Sequence, residues 1–99
     1  MKEFRWDSQK NAWLIRERKI SFEEVVFAIA KGKVLDMVSH PNEDKYQNQK
    51  MFVVEINHYA YLVPFVEDGE TIFLETVIPS RKATRTYLKG RGKRDGSTG

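Results

Sequence analysis

Residues 20–32 read Ile-Ser-Phe-Glu-Glu-Val-Val-Phe-Ala-Ile-Ala-Lys-Gly, and this stretch carries the clearest structural signal in the chain. Ser21 and Glu24 have the spacing of a helix capping box, and apolar residues flank the box as a hydrophobic staple. From Phe22, apolar side chains recur at i, i+3, i+4 and i+7, which predicts a helix with one buried face. Gly32 can end that helix. We interpret the stripe as core, not as a ligand-binding box.

On either side of this helix, local signals predict the remaining elements. Asp7 is a suitable N-cap, and no Gly or Pro interrupts residues 8–18, so we expect a first helix there. After Gly32 the pattern predicts four strands, at residues 34–38, 51–56, 59–66 and 71–79. A short last helix follows at residues 80–88, with Ser80 as its cap. The expected fold class is therefore α+β, with two N-terminal helices, an antiparallel sheet of about four strands and a short C-terminal helix.

The connections between the predicted strands differ in character. Residues 40–50 form a polar loop, longer than the 2–5 residues common in hairpins, and loops of that length are often functional. Asn57 and Gly69 tolerate the positive φ that tight hairpin turns require. Pro64 cannot donate a ladder hydrogen bond, which predicts a bulge or a locally unpaired stretch in its strand.

The composition of the 99 residues indicates one domain over residues 1–89, with 90–99 as a flexible basic tail. With 40% apolar residues the chain can form a core. It has no cysteine, which excludes a disulfide framework and a thiolate zinc site and fits a reducing compartment. We see no signal peptide and no membrane span, so we expect a cytoplasmic protein.

The net charge of +3 is unevenly distributed. Residues 81–94 contain seven cations and no acid, whereas residues 67–75 contain four acids and no base. A basic patch raises the local concentration of phosphate-bearing partners. The alternative is a solvated cationic helix followed by a soluble tail.

Three separated motifs resemble those of a known family. An opening Phe-x-Trp-Asp-x-x-Lys-Asn at residues 4–11, the Ile-Ser-Phe-Glu-Glu at 20–24 and the Ser-Arg-Lys-Ala-Thr at 80–84 are similar, in the same order, to motifs of BrnT-like toxins. The resemblance spans residues 4–88. The Lys-His-Gly that those toxins usually place before Ile-Ser-Phe is absent here, so no histidine role is carried over to that position.

The resemblance implies a fold related to RelE-type ribonucleases and an RNA-cleaving activity that stops translation. It also implies a ribbon-helix-helix antitoxin as partner, whose complex with the toxin binds operator DNA and represses the operon. Metal-free RNA cleavage needs a base for the 2′-hydroxyl, cations around the phosphate and an acid for the leaving oxygen. The acids here are scattered and the two histidines are far apart in sequence, so we expect no metal and no other cofactor.

Four residues are candidates for catalysis, and each has a plainer alternative. Arg81 follows the presumed cap Ser80, where it could hold a phosphate or pair with Glu75. Lys50 could point over the same sheet face as Arg81 or protect a sheet edge. His40 could act as acid or base or be a turn residue. Tyr87 could donate a proton or pack its ring.

The candidates for RNA contacts are mostly cationic, and plain solubility explains several of them equally well. Lys45 and Tyr46 could hold a phosphate and stack a base. The full set is Lys10, Lys19, Lys45, Tyr46, Lys82, Arg85 and Lys89. His58 is expected to be structural in a turn, and the aromatic residues Tyr59, Tyr61, Phe65 and Phe73 fit a core better than a base-stacking platform.

Two other functions stay open at this point. The chain can be a non-catalytic nucleic-acid-binding module that acts in operon repression, which the missing Lys-His-Gly favours. It can also be a structural subunit whose basic groove receives an acidic protein segment. Binding without cleavage would indicate the first, and a tight protein complex without RNA affinity would indicate the second.

Overall fold

The computed structural model describes residues 2–39 and 49–89, which form a mixed α+β structure. Within these residues, no helix is long and apolar enough to cross a membrane. In chain order the elements are β1 (Glu3–Arg5), α1 (Ser8–Arg18), α2 (Phe22–Ala30), β2 (Val34–Ser39), β3 (Lys50–Ile56), β4 (Tyr59–Asp68), β5 (Thr71–Leu74), β6 (Ile78–Pro79), α3 (Arg81–Ala83) and a π-helical segment (Thr84–Lys89).

The two N-terminal helices begin at the predicted caps. The Asp7 carboxylate accepts a hydrogen bond from the Lys10 amide at 2.9 Å, and α1 ends at Lys19 in the left-handed conformation. The predicted capping box of α2 is complete, because Ser21 Oγ accepts from the Glu24 amide and Glu24 accepts from the Ser21 amide. Both helix starts therefore follow from caps that the local sequence supplies.

Asn11 joins α1 to α2. Its Oδ1 accepts a hydrogen bond from the Phe22 amide at 2.8 Å, and its Nδ2 donates to Glu23 Oε1 at 2.8 Å. The Phe22 amide is one of the first four of a helix, which lack a partner within the helix. Asn11 supplies that partner from a position that is only 8% exposed, so it ties the start of α2 to α1.

The sheet has six strands, so the prediction of about four was too low. The strand order is β1-β5-β4-β3-β2, and β6 pairs separately with β4. All pairs are antiparallel except β1 with β5, which is parallel. β1 was missed because three residues carry no readable alternation, and its partner lies far along the chain.

The predicted strand at residues 71–79 is divided into β5 and β6, and Pro64 lies opposite the interruption. On one side Phe65 to Asp68 pair with β5, and on the other Tyr61 and Leu62 pair with β6. Between them the Pro64 carbonyl accepts from the Glu75 amide at 2.9 Å. Pro64 itself pairs with Met51 in an uninterrupted β3–β4 ladder, so the break that the sequence predicts occurs only on the β5–β6 side of β4. The one bulge in the described pairings lies in β2, between Val34 and Asp36.

The sheet is covered on both faces. Even-numbered residues of β3, such as Phe52 and Val54, pack with α1 and α2 in the main core around Phe22 and Leu14. Odd-numbered Val53 packs on the other face in a smaller cluster with Ala60, Leu62, Ala83 and Tyr87. Side chains alternate between the two faces along a strand. Even-numbered residues of β3 therefore face α1 and α2, and odd-numbered residues face the C-terminal helical segment.

The C-terminal helical segment starts at the predicted cap but is not one regular α-helix. Ser80 Oγ accepts from the Ala83 amide at 3.0 Å, and after Ala83 the chain continues as a π-helix. Thr84 Oγ1 donates to the Ser80 carbonyl at 2.8 Å, a side-chain bond of the kind that distorts helices. The same oxygen accepts from the Ala60 amide, so Thr84 fastens the segment to β4.

Candidate functional site

A groove of about 360 Å³ lies between the C-terminal helical segment and the sheet. We call it the α3 groove. Its floor is apolar and formed by β2, β3 and β4, and its rim carries one cation. The lining residues are Val38, Met51, Val53, Leu62, Ser80, Lys82, Ala83, Thr86 and Tyr87. The floor can accept a flat apolar group while the rim holds a charge, which is the combination that a nucleotide presents.

Three of the predicted cationic residues, Arg81, Lys82 and Arg85, are exposed on the segment that forms one wall of this groove. None of them forms an ion pair with a carboxylate among residues 2–39 and 49–89. The alternative partner Glu75 accepts a hydrogen bond from Gln49 instead. The positive charge on this wall is therefore uncompensated within the described part of the chain.

α3 provides little helix dipole for binding a phosphate near Arg81. α3 has only three residues before the backbone widens into the π-helix. A macrodipole sums over aligned peptide units, so a three-residue helix contributes little field at Ser80. Any affinity of this wall for phosphate must come from the side chains themselves.

Lys50 does not share a sheet face with Arg81, contrary to the expectation from sequence. It pairs with Ser39 and Phe65 at the start of β3, and its even-numbered position points it to the α1–α2 side. The Lys2 hydrogen bond and, more weakly, the charge of Lys50 hold the pKa of Glu67 below its ordinary value. Lys50 thus belongs to a mixed-charge surface across the sheet from the α3 groove.

Tyr87 lies in the groove wall and donates a hydrogen bond to Asp36 Oδ2 at 2.5 Å. This bond, with the Met37 amide that donates to the same carboxylate, lowers the pKa of Asp36. The hydrogen bond to Asp36, followed by partial burial, raises the pKa of Tyr87. At neutral pH Asp36 is a carboxylate and Tyr87 is a neutral phenol. The phenol proton is shared in the hydrogen bond to Asp36, and this bond holds the C-terminal helical segment against β2.

The predicted RNA contacts on α1 already have partners within α1. Lys10 Nζ lies 4.3 Å from the centre of the Trp13 ring, a cation–π distance. Lys19 Nζ donates to the Arg16 carbonyl at 3.2 Å. These two residues form a separate basic surface and are not brought to the α3 groove by any described contact.

Some predicted residues lie outside the described part of the chain. They are His40, Lys45 and Tyr46 of the loop, and the tail at 90–99. Lys89 belongs to the π-helical segment, but its side chain is not described. Val38 precedes this loop and Met51 follows it, and the two residues pair with each other across β2 and β3. Both side chains line the α3 groove, so the strand ends that flank the loop lie at that groove.

The remaining sequence interpretations concern turns and aromatic residues. His58 is in the β3–β4 turn at φ 64°, with its side chain 98% exposed and 3.8 Å from Glu55. Phe65 stacks on Phe52 at 4.1 Å between ring centres and is buried in the main core. Tyr61 also packs against that core. Tyr61 and Phe65 therefore have the structural role that the sequence predicts. Phe73 differs from the expectation, because it is 40% exposed and lies outside the core, and Tyr59 is only partly buried.

Two residues of the site escaped the sequence analysis. Asp36 could have been found, because aspartate is depleted in strands and an acid inside Val-Leu-Asp-Met-Val needs an explanation. Thr84 gives no such signal, since a threonine in a predicted helix is unremarkable. Its importance comes from Ala60, a residue that only the fold brings to it.

The described ranges, 2–39 and 49–89, contain no group of three or more His, Asp or Glu side chains that could hold a metal ion. Comparisons of the chain with family models, with curated proteins and with solved structures give no match.

Proposed function

We propose that this chain is a ribonuclease toxin of the BrnT-like kind, with a RelE-related fold, that cleaves RNA without a metal and is neutralised by a ribbon-helix-helix antitoxin. The observation that carries the proposal is the uncompensated set Arg81, Lys82 and Arg85 beside the apolar α3 groove. Guanidinium and ammonium groups of this kind attract a phosphate backbone, and an apolar floor beside them accepts a base.

In this proposal Arg81 and Lys82 neutralise the charge that the phosphate gains when the 2′-hydroxyl attacks it. The 2′-hydroxyl loses its proton to a base, the bond from phosphorus to the 5′-oxygen breaks, and that oxygen is protonated as it leaves. Tyr87 positions the helical segment through Asp36 instead of acting as the acid. His40 stays the sequence candidate for proton transfer.

The test is digestion of single-stranded RNA by the purified protein in the presence of a chelator. We expect cleavage, and we expect Arg81→Ala to slow it about 100-fold, the usual effect of removing one group that stabilises the transition state. Arg16→Ala is a matched control, because Arg16 is an exposed arginine on α1, on the other side of the sheet. Unchanged cleavage in Arg81→Ala would contradict the assignment of the site.

A second candidate function is an RNA- or DNA-binding module without catalysis, acting with its partner in operon repression. Two observations favour it: Lys50 lies across the sheet from Arg81, and the Tyr87 proton is engaged by Asp36. A band shift without cleavage would support this candidate. In both cases Lys82→Ala should reduce the slope of log affinity against log salt by about 1, because one phosphate contact is lost.

A further inference from the structure

The outward face of α2 carries a large apolar side chain, Phe27, that does not pack in either core cluster. Phe27 is 64% exposed, more than any other large apolar residue that the structure describes. The inward face is formed by Phe22, Val25 and Ala28, which are buried. At 100° per residue, Phe27 points almost directly away from that face. One exposed aromatic residue is not unusual by itself, but Phe27 lies beside an apolar groove, and a contiguous apolar surface of this kind is typical of an interaction site.

Opposite charges lie at equal distances on either side of Phe27. Glu23 precedes it by four residues and Lys31 follows it by four, so all three share one face of the helix at a spacing of about 6 Å. Lys31 keeps the helical position, since its amide donates to the Phe27 carbonyl at 3.0 Å. Its Nζ lies 5.4 Å from the centre of the Phe27 ring.

A groove of about 580 Å³ runs beside this face, between α2 and the end of β3. We call it the α2 groove. Its lining includes Phe27 and the apolar residues Ala28 and Ile56. Glu23 and Lys31 are also among the lining residues. The groove therefore offers an apolar surface next to Phe27, and its border is charged. Besides Glu23 and Lys31, the charged lining residues are Glu24, Lys33 and Glu55.

We propose that two copies of this chain associate through α2 in an antiparallel, twofold-symmetric packing. Phe27 of each copy enters the α2 groove of the other, and Glu23 of each copy pairs with Lys31 of the other. A twofold interface requires that if residue i meets residue j, then j meets i. The order acid, aromatic, base at equal spacing satisfies this rule when the helices are antiparallel, whereas parallel helices would oppose like charges.

Charge complementarity selects a second copy as the occupant. A helix of another protein would need its own matching base and acid, and it would give no reason for the even placement of opposite charges about Phe27. The Glu23 carboxylate accepts from Asn11 through Oε1, which leaves Oε2 for the partner. Among the described residues Lys31 forms no ion pair within its own chain. This inference does not depend on the proposed ribonuclease activity.

The test is the molar mass of the full chain by sedimentation equilibrium over a range of concentrations. We expect the wild type to approach twice its monomer mass of 11.6 kDa. Phe27→Glu should remain monomeric. Glu23→Lys alone and Lys31→Glu alone should each raise the dissociation constant about tenfold or more, because each opposes like charges at two symmetric positions.

The decisive experiment mixes the Glu23→Lys variant with the Lys31→Glu variant. A Glu23→Lys copy carries only bases at the two positions and a Lys31→Glu copy only acids, so the mixture should restore association as a heterodimer. Glu70→Lys, a similar charge change in the exposed β4–β5 turn, is the matched control and should not alter the mass. Circular dichroism verifies folding, since Glu23→Lys also removes the Asn11 contact.

The proposal is overturned by any of three results. The first is a wild-type mass of 11.6 kDa up to about 1 mM, the weak end of specific association. The second is a dimer that Phe27→Glu does not affect. The third is a mixture of the two single variants that does not associate, because a foreign helix at Phe27 would predict no such rescue.

Discussion

Asp36 and Tyr87 show how one residue pair controls the position of a functional segment. Tyr87 belongs to the C-terminal segment and lines the α3 groove, and its hydrogen bond to Asp36 ties that segment to the edge strand β2. The bond lowers the pKa of Asp36 and raises the pKa of Tyr87. Both shifts favour the state in which the carboxylate is charged and the phenol is neutral.

The pair predicts a stability that depends on pH at both extremes. The folded-state pKa of Asp36 lies below its ordinary 3.8, so its contribution is complete above pH 3.8 and is lost as the pH falls through the lower folded-state pKa. The folded-state pKa of Tyr87 lies above its ordinary 10.0, so its contribution is complete below pH 10.0 and is lost as the pH rises.

We therefore expect Tyr87→Phe to lower the melting temperature between these two pH values, and the difference from wild type to shrink outside them. Thermal melts of both proteins in a series of buffers measure this. Asp36→Asn should give the same pattern on the acid side. A melting difference that is constant with pH would show that the phenol acts only through packing.

At the scale of elements, the sequence predicted those parts of the fold whose causes are local. The starts of α1 and α2 follow from Asp7 and Ser21, and the β3–β4 turn follows from Asn57, which has φ 53°. The errors occurred where distant contacts decide. β1 exists because β5 is beside it, and the predicted last helix becomes π-helical where Thr84 bonds to Ser80 and Ala60.

The candidate site at the α3 groove also has features that follow from local sequence and features that depend on distant contacts. The sequence located the cations at 81–85 because they are adjacent in the chain. They lie on the segment that forms one wall of the α3 groove, and of the three only Lys82 lines the groove itself. The sequence could not decide on which face of the sheet Lys50 lies, because the position of β3 relative to α3 depends on how the two halves of the chain pack. A cluster of residues that are adjacent in the chain can be recognised from the sequence alone. The sheet face on which a strand residue lies depends on tertiary packing.

Thr84 offers a test at this scale. Thr84→Val keeps the shape of the side chain but removes the acceptor of the Ala60 amide, which is then buried without a partner. We expect a loss of about 1–3 kcal/mol in the free energy of unfolding, measured by urea denaturation. Thr86→Val is the matched control, since Thr86 is exposed on the same segment. Equal effects of the two changes would mean that the bond to Ala60 contributes nothing.

At the scale of the whole molecule, β1 completes the sheet. Glu3, Phe4 and Arg5 pair in parallel with Thr71 to Phe73, and Phe4 packs against the main core. Lys2 adds an ion pair with Glu67 at 3.0 Å, although both side chains are about 40% exposed and the pair contributes little. The stabilisation from β1 therefore comes mainly from the ladder and from Phe4.

Removal of residues 2–5 should lower the free energy of unfolding by about 1–3 kcal/mol, the effect of losing one partly buried aromatic residue with its strand. We also expect a smaller urea m-value, because less surface is exposed on unfolding. Arg5→Ala is the control, since Arg5 is exposed and its contact with Glu3 is 3.7 Å long. An unchanged denaturation midpoint in the truncated chain would contradict a structural role for β1.

The pairing of β1 with β5 also orders events during protein synthesis. Residues 3–5 are synthesised well before the strand that receives them, residues 71–74. Contacts of such long sequence separation form late. Until residues 71–74 have been made, β1 and one edge of β4 both lack the strand that pairs with them, so the unfinished sheet exposes unpaired backbone to chaperones and proteases.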